Sequence, residues 1–543
     1  MTEARGHYVE TALSVAEEAL RRGFSVYLAV HEACTLPPLP AGIVPLPIFR
    51  VDHWGVVVHT ADANAEGLAV ELVAERAVTI EDVRAGRSTV AGYLAAKFAI
   101  DDEAPPAPAS RRSLASLLTP PIIPLAVGFL YRQRRPIKRA FWTTVRMIAP
   151  PILTETVDRL RVRVRHAKQR RRAKRAARAI EVAQTPAEAK TARHAALAAA
   201  LTRVGGPREA ELQALFRADI ERVLILTGAG AGDIMFHPTA HGREALAVAD
   251  LIEDVGAANL PSFHLEFRHA VRADAGAEPT AQLDPYSSVH KLFFDACARG
   301  PVDERMHLYT DTQELARDYE ALTGRTFAVL PIPFRAKLMP EVERRDGPLV
   351  ALFLGDPREE KGFCLLPDLI ETLHRDLVAT GRLRFVIQAG VHRDALNPRM
   401  VETLGRLEAF GEPAVTLVGR DGFVPEAEYY RHLSGADIVL LPYDAVTYRA
   451  RSSGVLAEAV AGGKPVIVPA DTWLGSQMAE GAGERFVTEA DLADALRRIT
   501  LGYEGYRARA LGLREAWLRH HSPEGLIAAL IAADATIPAR RGT

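Results

Sequence analysis

The chain has 543 residues, of which 48% are hydrophobic and 25% are charged, and its formal net charge is −1. This length permits two or three domains with their own cores, and this balance excludes a disordered or fibrous protein. The three cysteines, Cys34, Cys297 and Cys364, are far apart and odd in number. They exclude a disulfide framework and a cysteine-rich metal site, and they indicate a reducing cytoplasm. The N-terminus lacks a basic stretch followed by an apolar core, so we expect no secretory signal.

The first hundred residues alternate between helical and strand-like patterns. Apolar residues recur at helical spacing over residues 8–22, and Gly23 would end that helix. Strand-like runs follow at residues 24–30 and 55–59. The acidic, proline-rich stretch 101–110 then breaks the pattern, and we interpret it as a linker.

An uncharged run and a strongly basic segment follow each other in the middle of the chain. Residues 113–131 carry no charge, whereas residues 131–180 contain 17 Lys or Arg and two acids, a net charge of +15. Prolines inside the uncharged run disfavour a membrane-spanning helix. We therefore expect residues 113–180 to lie on an anionic membrane surface. A membrane-spanning segment and an ordinary buried helical insertion are the alternatives.

The basic segment continues into a region of predicted helices. Residues 155–216 are rich in Ala and Arg, which favours long helices. A basic helix face is usually solvated, although a nucleic acid could also be attracted to it. Because no aromatic residues interleave with the basic ones, as they do in proteins that bind single strands, we predict no nucleic acid partner.

From residue 220 onward, strand-like and helical patterns alternate again. Apolar runs predict strands over 223–228, 233–238, 262–267, 349–355, 383–390, 414–419, 437–443 and 464–470. A helix is predicted between the second and third of these strands, over 242–252. Such alternation predicts parallel sheets with right-handed crossovers, and therefore the α/β class.

Ligands of open parallel sheets bind beyond the carboxyl ends of the strands, so the loops at those ends form the candidate site. Lys361 follows the first strand of the C-terminal part and could clamp a diphosphate; a solvated surface lysine is the alternative. Further on, Ser452, Ser453 and Gly454 would begin a helix, with a serine as its cap and the glycine permitting close approach of an anion. Glu458 lies about one turn later, where it could accept hydrogen bonds from two ribose hydroxyls. A solvated helix glutamate is the alternative.

These segments, taken as an ordered set, resemble a known family. LGDPREEKGF, a strand ending in VG, DIVLLPY and SSGVLAEAVAGGKPVIVP are together similar to the group 1 glycosyltransferases of the GT-B fold, over residues 325–490. The resemblance implies that Lys361 contacts the donor diphosphate and that Glu458 holds the ribose. It also implies that the backbone at Gly454 meets the phosphates.

The resemblance implies an α/β architecture of two Rossmann-like domains facing a cleft. Residues 1–100 and 220–338 would form the discontinuous, acceptor-side N-terminal domain, and residues 101–219 a basic helical insertion in it. Residues 339–543 would form the C-terminal domain that binds the nucleotide-sugar.

Two positions depart from the family pattern. Asp356 stands where the family has an arginine, and Arg358 could take over the contact of that arginine with the donor. Ala450 stands where the family has a glutamate near the donor sugar, eight residues before Glu458. This second departure puts the contacts to the donor sugar in doubt more than those to the nucleotide.

The N-terminal half is less similar to the family. Residues 5–30 resemble its first glycine-containing loop and helix, so Gly6 and His7 are expected to face the cleft. The strand that precedes this loop in the family is absent, and we expect the true start of the chain to lie upstream. The histidine that the family places near the reaction centre corresponds to His269 or His264, with ordinary structural histidines as the remaining alternative.

These features predict an enzyme, a glycosyltransferase of the hexosyltransferase type that moves a sugar from a nucleotide-sugar to a glycan or lipid-linked acceptor. The resemblance implies a retaining reaction that needs no metal and no cofactor. We expect a role in bacterial surface polysaccharide synthesis and a cytoplasmic location, peripheral at the inner face of the plasma membrane. A catalytically degenerate GT-B protein that binds a nucleotide or glycan is the alternative, and a nucleotide-sugar epimerase is another.

Overall fold

The structure is a computed structural model that describes residues 7–31, 34, 36, 38–50, 185–204, 207–271, 284–334, 346–390, 398–420 and 424–533, with side chains left out at 7–11 and 207. The chain divides into two compact units: the described residues before 51 and after 207 belong to the first, and residues 185–204 to the second. The domain boundaries expected from the sequence stay a prediction.

The first unit begins with a helix and two parallel strands: α1 (His7–Arg21), β1 (Val26–His31) and β2 (Ile43–Phe49). The predicted first helix and first strand are thus confirmed, and Gly23 follows the helix with a φ of +83° that favours glycine. Leu13 and Ala16 of the helix pack with Ile43 of the second strand in a small core. The predicted strand at 55–59 lies outside the described residues.

The second unit contains one described helix, α2 (Pro186–Val204). Glu188 lies in its first turn and Arg203 in its last, which complements the helix dipole. No helix in the described part of the chain is long and apolar enough to cross a membrane. The segment 113–180, expected to lie on a membrane surface, is outside the described residues.

The first unit continues with a four-stranded parallel sheet in the order β3-β4-β5-β6. Its elements along the chain are α3 (Pro207–Thr227), β3 (Ile234–His237), α4 (Gly242–Val255), β4 (Ser262–Phe267), α5 (Pro285–Ala296), β5 (Met306–Thr310), α6 (Gln313–Thr323) and β6 (Ala328–Val329). Gly242 lets α4 approach α5 closely, since a Cβ atom there would lie 3.0 Å from the carbonyl oxygen of His290.

One predicted strand of this region is wrong. Residues 223–228 end helix α3, which runs to Thr227. The apolar run there is also one face of a helix, because the buried residues Phe216, Ile220, Val223 and Leu224 recur at intervals of three and four. A short apolar run fits both a strand and a buried helix face, and burial on α3 favours the helix.

A six-stranded parallel sheet follows in the order β12-β11-β10-β7-β8-β9. Its elements are β7 (Leu349–Phe353), α7 (Leu366–Leu373), β8 (Leu383–Gln388), α8 (Pro398–Phe410), β9 (Val415–Val418), α9 (Glu426–Gly435), β10 (Ile438–Leu440), α10 (Gly454–Ala461), β11 (Val466–Pro469), α11 (Trp473–Ser476) and β12 (Glu484–Phe486). Every residue of β7 and β10 is buried, as in a sheet covered by helices on both faces.

Three helices complete the chain: α12 (Glu489–Leu501), α13 (Tyr503–His520) and α14 (Pro523–Ala533). The last helix packs on the N-terminal part of the unit, where Leu526 and Leu530 share a core with Val15 of α1 and Tyr309 of β5. The other seven strands predicted after residue 220, the helix at 242–252 and the α/β class with parallel sheets are confirmed.

Candidate active site

The loop after β7 carries Lys361 at the end of a short 3-10 turn, Glu359–Lys361. Gly355 lies just beyond the strand with a φ of +100°, and a Cβ atom there would come within 2.9 Å of Lys361 Nζ. The Lys361 ammonium therefore lies at the carboxyl end of β7. Burial lowers the pKa of Lys361 to about 8; Arg358 adds to the decrease and Asp356 opposes it. Most of the Lys361 population is still protonated at pH 7.

The loops that follow β7 and β10 contact each other directly, as expected for neighbouring parallel strands. A Cβ atom at Gly362 would lie 2.0 Å from the carbonyl oxygen of Pro442, so only glycine fits there. The Asp444 backbone also donates to the carbonyl oxygen of Glu360 at 2.9 Å. Arg358 is 47% exposed and pairs with the Glu360 carboxylate at 3.0 Å. Its contact with a donor stays a prediction.

Ser453 caps helix α10, as the sequence predicted. Its hydroxyl accepts a hydrogen bond from the Leu456 amide at 3.2 Å, and Gly454 is the first residue of the helix. Amides in the first turn of a helix have no partner within the helix and carry its positive dipole end. The start of α10 therefore has the chemistry that an anion requires.

Ser452 is held by the N-terminal part of the unit. Its hydroxyl donates to the Asp311 carboxylate, which directly follows β5. Next to it, Thr312 Oγ1 donates to the carbonyl oxygen of Ala450 at 2.7 Å. The position that departs from the family pattern is thus a buried alanine whose backbone is fixed by Thr312. No sequence motif marks Asp311 or Thr312, because both meet this loop only in the folded chain.

Glu458 is 2% exposed, and tyrosines contact both of its carboxylate oxygens. Tyr429 Oη donates to Oε2 at 2.6 Å and Tyr430 Oη to Oε1 at 3.1 Å. Burial and the adjacent Glu458 raise the pKa of Tyr429 well above its usual range, so that phenol stays a donor. A ribose would have to share or displace these tyrosines, which the sequence analysis did not identify. The ribose contact of Glu458 stays a prediction.

His264 lies in the middle of β4 and is fully buried. Its Nδ1 lies 2.9 Å from Tyr309 Oη and its Nε2 lies 2.9 Å from Ser262 Oγ. With both ring nitrogens within hydrogen-bonding distance of neighbouring hydroxyls, this histidine has the contacts of a structural residue. The geometry therefore favours His269 of the two candidates.

His269 lies just beyond the carboxyl end of β4 and is partly exposed. Its ring centroid is 4.8 Å from that of His241, at the start of α4, and 5.9 Å from that of Tyr286. The Tyr319 hydroxyl donates to the His269 carbonyl oxygen at 3.1 Å and so fixes the backbone. A role of His269 at the reaction centre stays a prediction.

The same end of the sheet holds a histidine–glutamate contact that the sequence analysis missed. Glu244 accepts a hydrogen bond from the His241 backbone and lies 3.2 Å from its Nδ1. Burial alone would raise the pKa of Glu244, but His241, His237 and Arg243 hold it well below its usual range. The sequence signal was the spacing of a capping residue and a glutamate three positions later, before an apolar run.

A second buried charge cluster lies between β4 and β5. The Glu266 carboxylate accepts from the Arg268 guanidinium at 3.1 Å, and Arg268 Nε is 3.8 Å from the Asp311 carboxylate. Burial raises the pKa of Glu266 to about 7; Arg268 opposes the increase and Asp311 adds to it. Glu266 therefore titrates near neutral pH. It is connected to Ser452 through Arg268 and Asp311, each in contact with the next.

The remaining predicted residue, Gly6, lies outside the described residues, as does the side chain of His7. Within the described ranges, no group of three or more His, Cys, Asp or Glu is arranged to hold a metal ion. The structure thus brings Lys361, Ser453 and Gly454 to one sheet edge. In the same structure, Glu458 accepts hydrogen bonds from two tyrosines, and Ser452 donates one to Asp311.

Comparisons with known proteins give similar structures only. No protein-family model matches the chain, and no curated protein matches it. The chain is similar to sucrose-phosphate synthase from Thermosynechococcus elongatus, with 16% identity over 59% of this chain and 77% of that one, at a TM-score of 0.44. It is also similar to HepE from Anabaena, solved with UDP-glucose, with 13% identity over 60% of this chain and 81% of that one, at a TM-score of 0.43. A third similar structure is WaaG, a glycosyltransferase involved in lipopolysaccharide biosynthesis, with 14% identity over 59% of this chain and 82% of that one, at a TM-score of 0.41.

Proposed function

We propose that this chain is a glycosyltransferase that takes a sugar from a nucleotide-sugar bound at the carboxyl edge of the six-stranded sheet. The observation that supports it most is that a lysine ammonium and the positive end of a helix dipole lie on neighbouring loops. Lys361 lies at the end of β7, and the start of α10 follows β10, the adjacent strand. An ammonium and a helix N-terminus side by side suit a diphosphate.

The chemical step follows from this arrangement. Breaking the bond between the sugar and the diphosphate leaves negative charge on the departing phosphate. The Lys361 ammonium and the amides at Gly454 would stabilise that charge as it develops, and they would do so more strongly in the transition state than with the intact donor. His269 would orient a hydroxyl of donor or acceptor, since it follows β4, the neighbour of the strand β5 that leads to Asp311 and its contact with Ser452.

The finer features of the reaction are proposals that rest on the resemblance to group 1 glycosyltransferases. They are retention of configuration, independence of metal ions and cofactors, a glycan or lipid-linked acceptor, and a place in surface polysaccharide synthesis at the inner face of a bacterial plasma membrane. The basic segment 113–180 motivates the membrane location.

The test is calorimetric titration with UDP, GDP and ADP, followed by incubation with the matching nucleotide-sugars. We expect one nucleotide to bind, and we expect sugar transfer or slow donor hydrolysis that persists in EDTA. No binding of any nucleoside diphosphate would refute the proposal.

A second candidate is a protein of the same fold that binds a nucleotide or glycan without catalysis. Two observations favour it: Ala450 replaces the family's glutamate with its backbone fixed by Thr312, and Glu458 is engaged by two tyrosines. Tight nucleotide binding with no transfer and no hydrolysis for any donor would select this candidate.

A further inference from the structure

An open cavity of about 380 Å³ lies at the carboxyl end of β11, beside the loop that leads into α10. Its volume falls in the range of small-molecule sites, roughly 300–1,000 Å³. None of its lining residues belongs to the predicted donor site. The polar side chains of the lining are Glu314, Arg449, Asp471, Thr472, Ser476 and Arg485.

One wall of the cavity is the loop between β11 and α11, and it is held in place by hydrogen bonds. Thr472 caps α11 by accepting from the Gly475 amide at 3.1 Å. Arg485 Nε donates to the Gly475 carbonyl oxygen at 2.8 Å. The Trp473 amide donates to the Arg449 carbonyl oxygen at 2.9 Å, which joins this loop to the one before α10. The wall is therefore formed before any ligand arrives.

A second wall is the first turn of α6, which carries Glu314. Two contacts hold this helix to the loop before α10. Thr312, the cap of α6, donates to the Ala450 carbonyl oxygen at 2.7 Å, and Asp318 on the same helix pairs with the Arg449 guanidinium. Both walls are thus fixed to residues 449–450, so the cavity keeps its width.

The lining combines hydrogen-bond acceptors and donors with balanced charge. Glu314 is partly exposed and lines the cavity, so its carboxylate can accept from a ligand hydroxyl. Arg485, anchored by backbone carbonyls, presents a guanidinium of fixed orientation. Asp471 and Arg449 add one charge of each sign. Because Asp318 already pairs with Arg449, the two carboxylates and the Arg485 guanidinium that remain give no net attraction for a diphosphate, whereas sugar hydroxyls both donate and accept.

We propose that this cavity binds one monosaccharide unit of the acceptor, with Glu314 accepting from its hydroxyls and the arginines donating to them. The assignment to the acceptor rests on the proposed glycosyltransferase function. It fits the place of the cavity, because β11 neighbours β10 and the loop that carries Arg449 leads directly into the predicted phosphate end of α10.

The test is binding of free glucose, galactose, mannose and N-acetylglucosamine to the full chain, followed by ligand-observed NMR, with UDP titrated separately by calorimetry. Glu314→Gln keeps the shape but removes the carboxylate charge, and it should weaken binding of the preferred sugar roughly tenfold or more. UDP affinity should stay the same. Glu489→Gln is the matched control, because Glu489 is an exposed glutamate in the first turn of another helix, α12.

A second variant guards against loss of fold. Ser476→Phe fills the exposed side of the cavity from outside and should abolish sugar binding with the thermal midpoint unchanged. The inference is overturned if wild type binds none of the sugars, or if both variants bind as wild type does. Sugar binding that depends on Glu314 without any UDP binding would support the cavity and contradict the proposed function.

Discussion

Lys361 offers the sharpest test of the donor site, because its ammonium titrates within reach of experiment. Burial lowers its pKa to about 8, whereas its usual value is 10.5. If the diphosphate of UDP binds only the charged form, the apparent Kd depends on the protonated fraction. That fraction falls from about nine tenths at pH 7 to about one tenth at pH 9, so affinity should fall about tenfold over this interval.

The assay is calorimetric titration of UDP between pH 7 and pH 9, where the phosphates of UDP are already largely ionised. Lys361→Met should bind more weakly at pH 7 and show a flat profile. A flat profile for wild type, or an equal decrease in the variant, would refute the reasoning.

Lys464 provides a matched control within the same sheet. Burial lowers its pKa to about 8 as well, but its ammonium donates to the carbonyl oxygens of Ser434 and Ala436 at 2.6 and 2.7 Å. It precedes β11, at the amino end of the strand and away from the donor loops. Lys464→Met should therefore lose stability yet keep the tenfold dependence of UDP affinity on pH.

Four further outcomes are expected. Lys361→Met should raise the thermal midpoint at pH 7. The pKa of Lys361 is lower in the folded than in the unfolded state, so the free energy of unfolding of wild type is reduced below pH 8 and recovers toward pH 10.5. An unchanged or lower midpoint would contradict this. Glu458→Ala should weaken UDP binding about ten- to hundredfold by calorimetry, and unchanged affinity would contradict the ribose contact. Thr312→Val removes both the hydrogen bond to the loop before α10 and the cap of α6, and it should lower the free energy of unfolding by about 2 kcal/mol in urea denaturation; an unchanged free energy would contradict both contacts. The intact chain should co-sediment with anionic but not neutral vesicles and be partly released by salt, whereas a chain lacking residues 113–180 should stay in the supernatant; sedimentation of neither form would contradict a membrane surface.

Much of the fold follows from local patterns in the sequence. The strands of both sheets are short apolar runs between helical segments, and a run buried on both faces is recognisable without knowing its neighbours. The run at 223–228 is the exception, because its apolar residues satisfy the spacing of a helix face as well as that of a strand. Which of the two forms depends on what the run packs against, and that is a property of the whole unit.

Residue type and spacing were enough to predict which residues have the chemistry for a donor site and where they lie on strands and loops. Ser453 as a cap, Gly454 at a helix start and Lys361 after a strand are all local features, set by residue type and spacing. The partners of these side chains depend on the folded chain: Ser452 contacts Asp311, Glu458 contacts two tyrosines, and Glu314 lines a cavity together with Arg485. Those pairs are more than a hundred residues apart or lie on different helices. Hydrogen bonds between them depend on how the sheets and helices pack, and no local pattern in the chain carries that information.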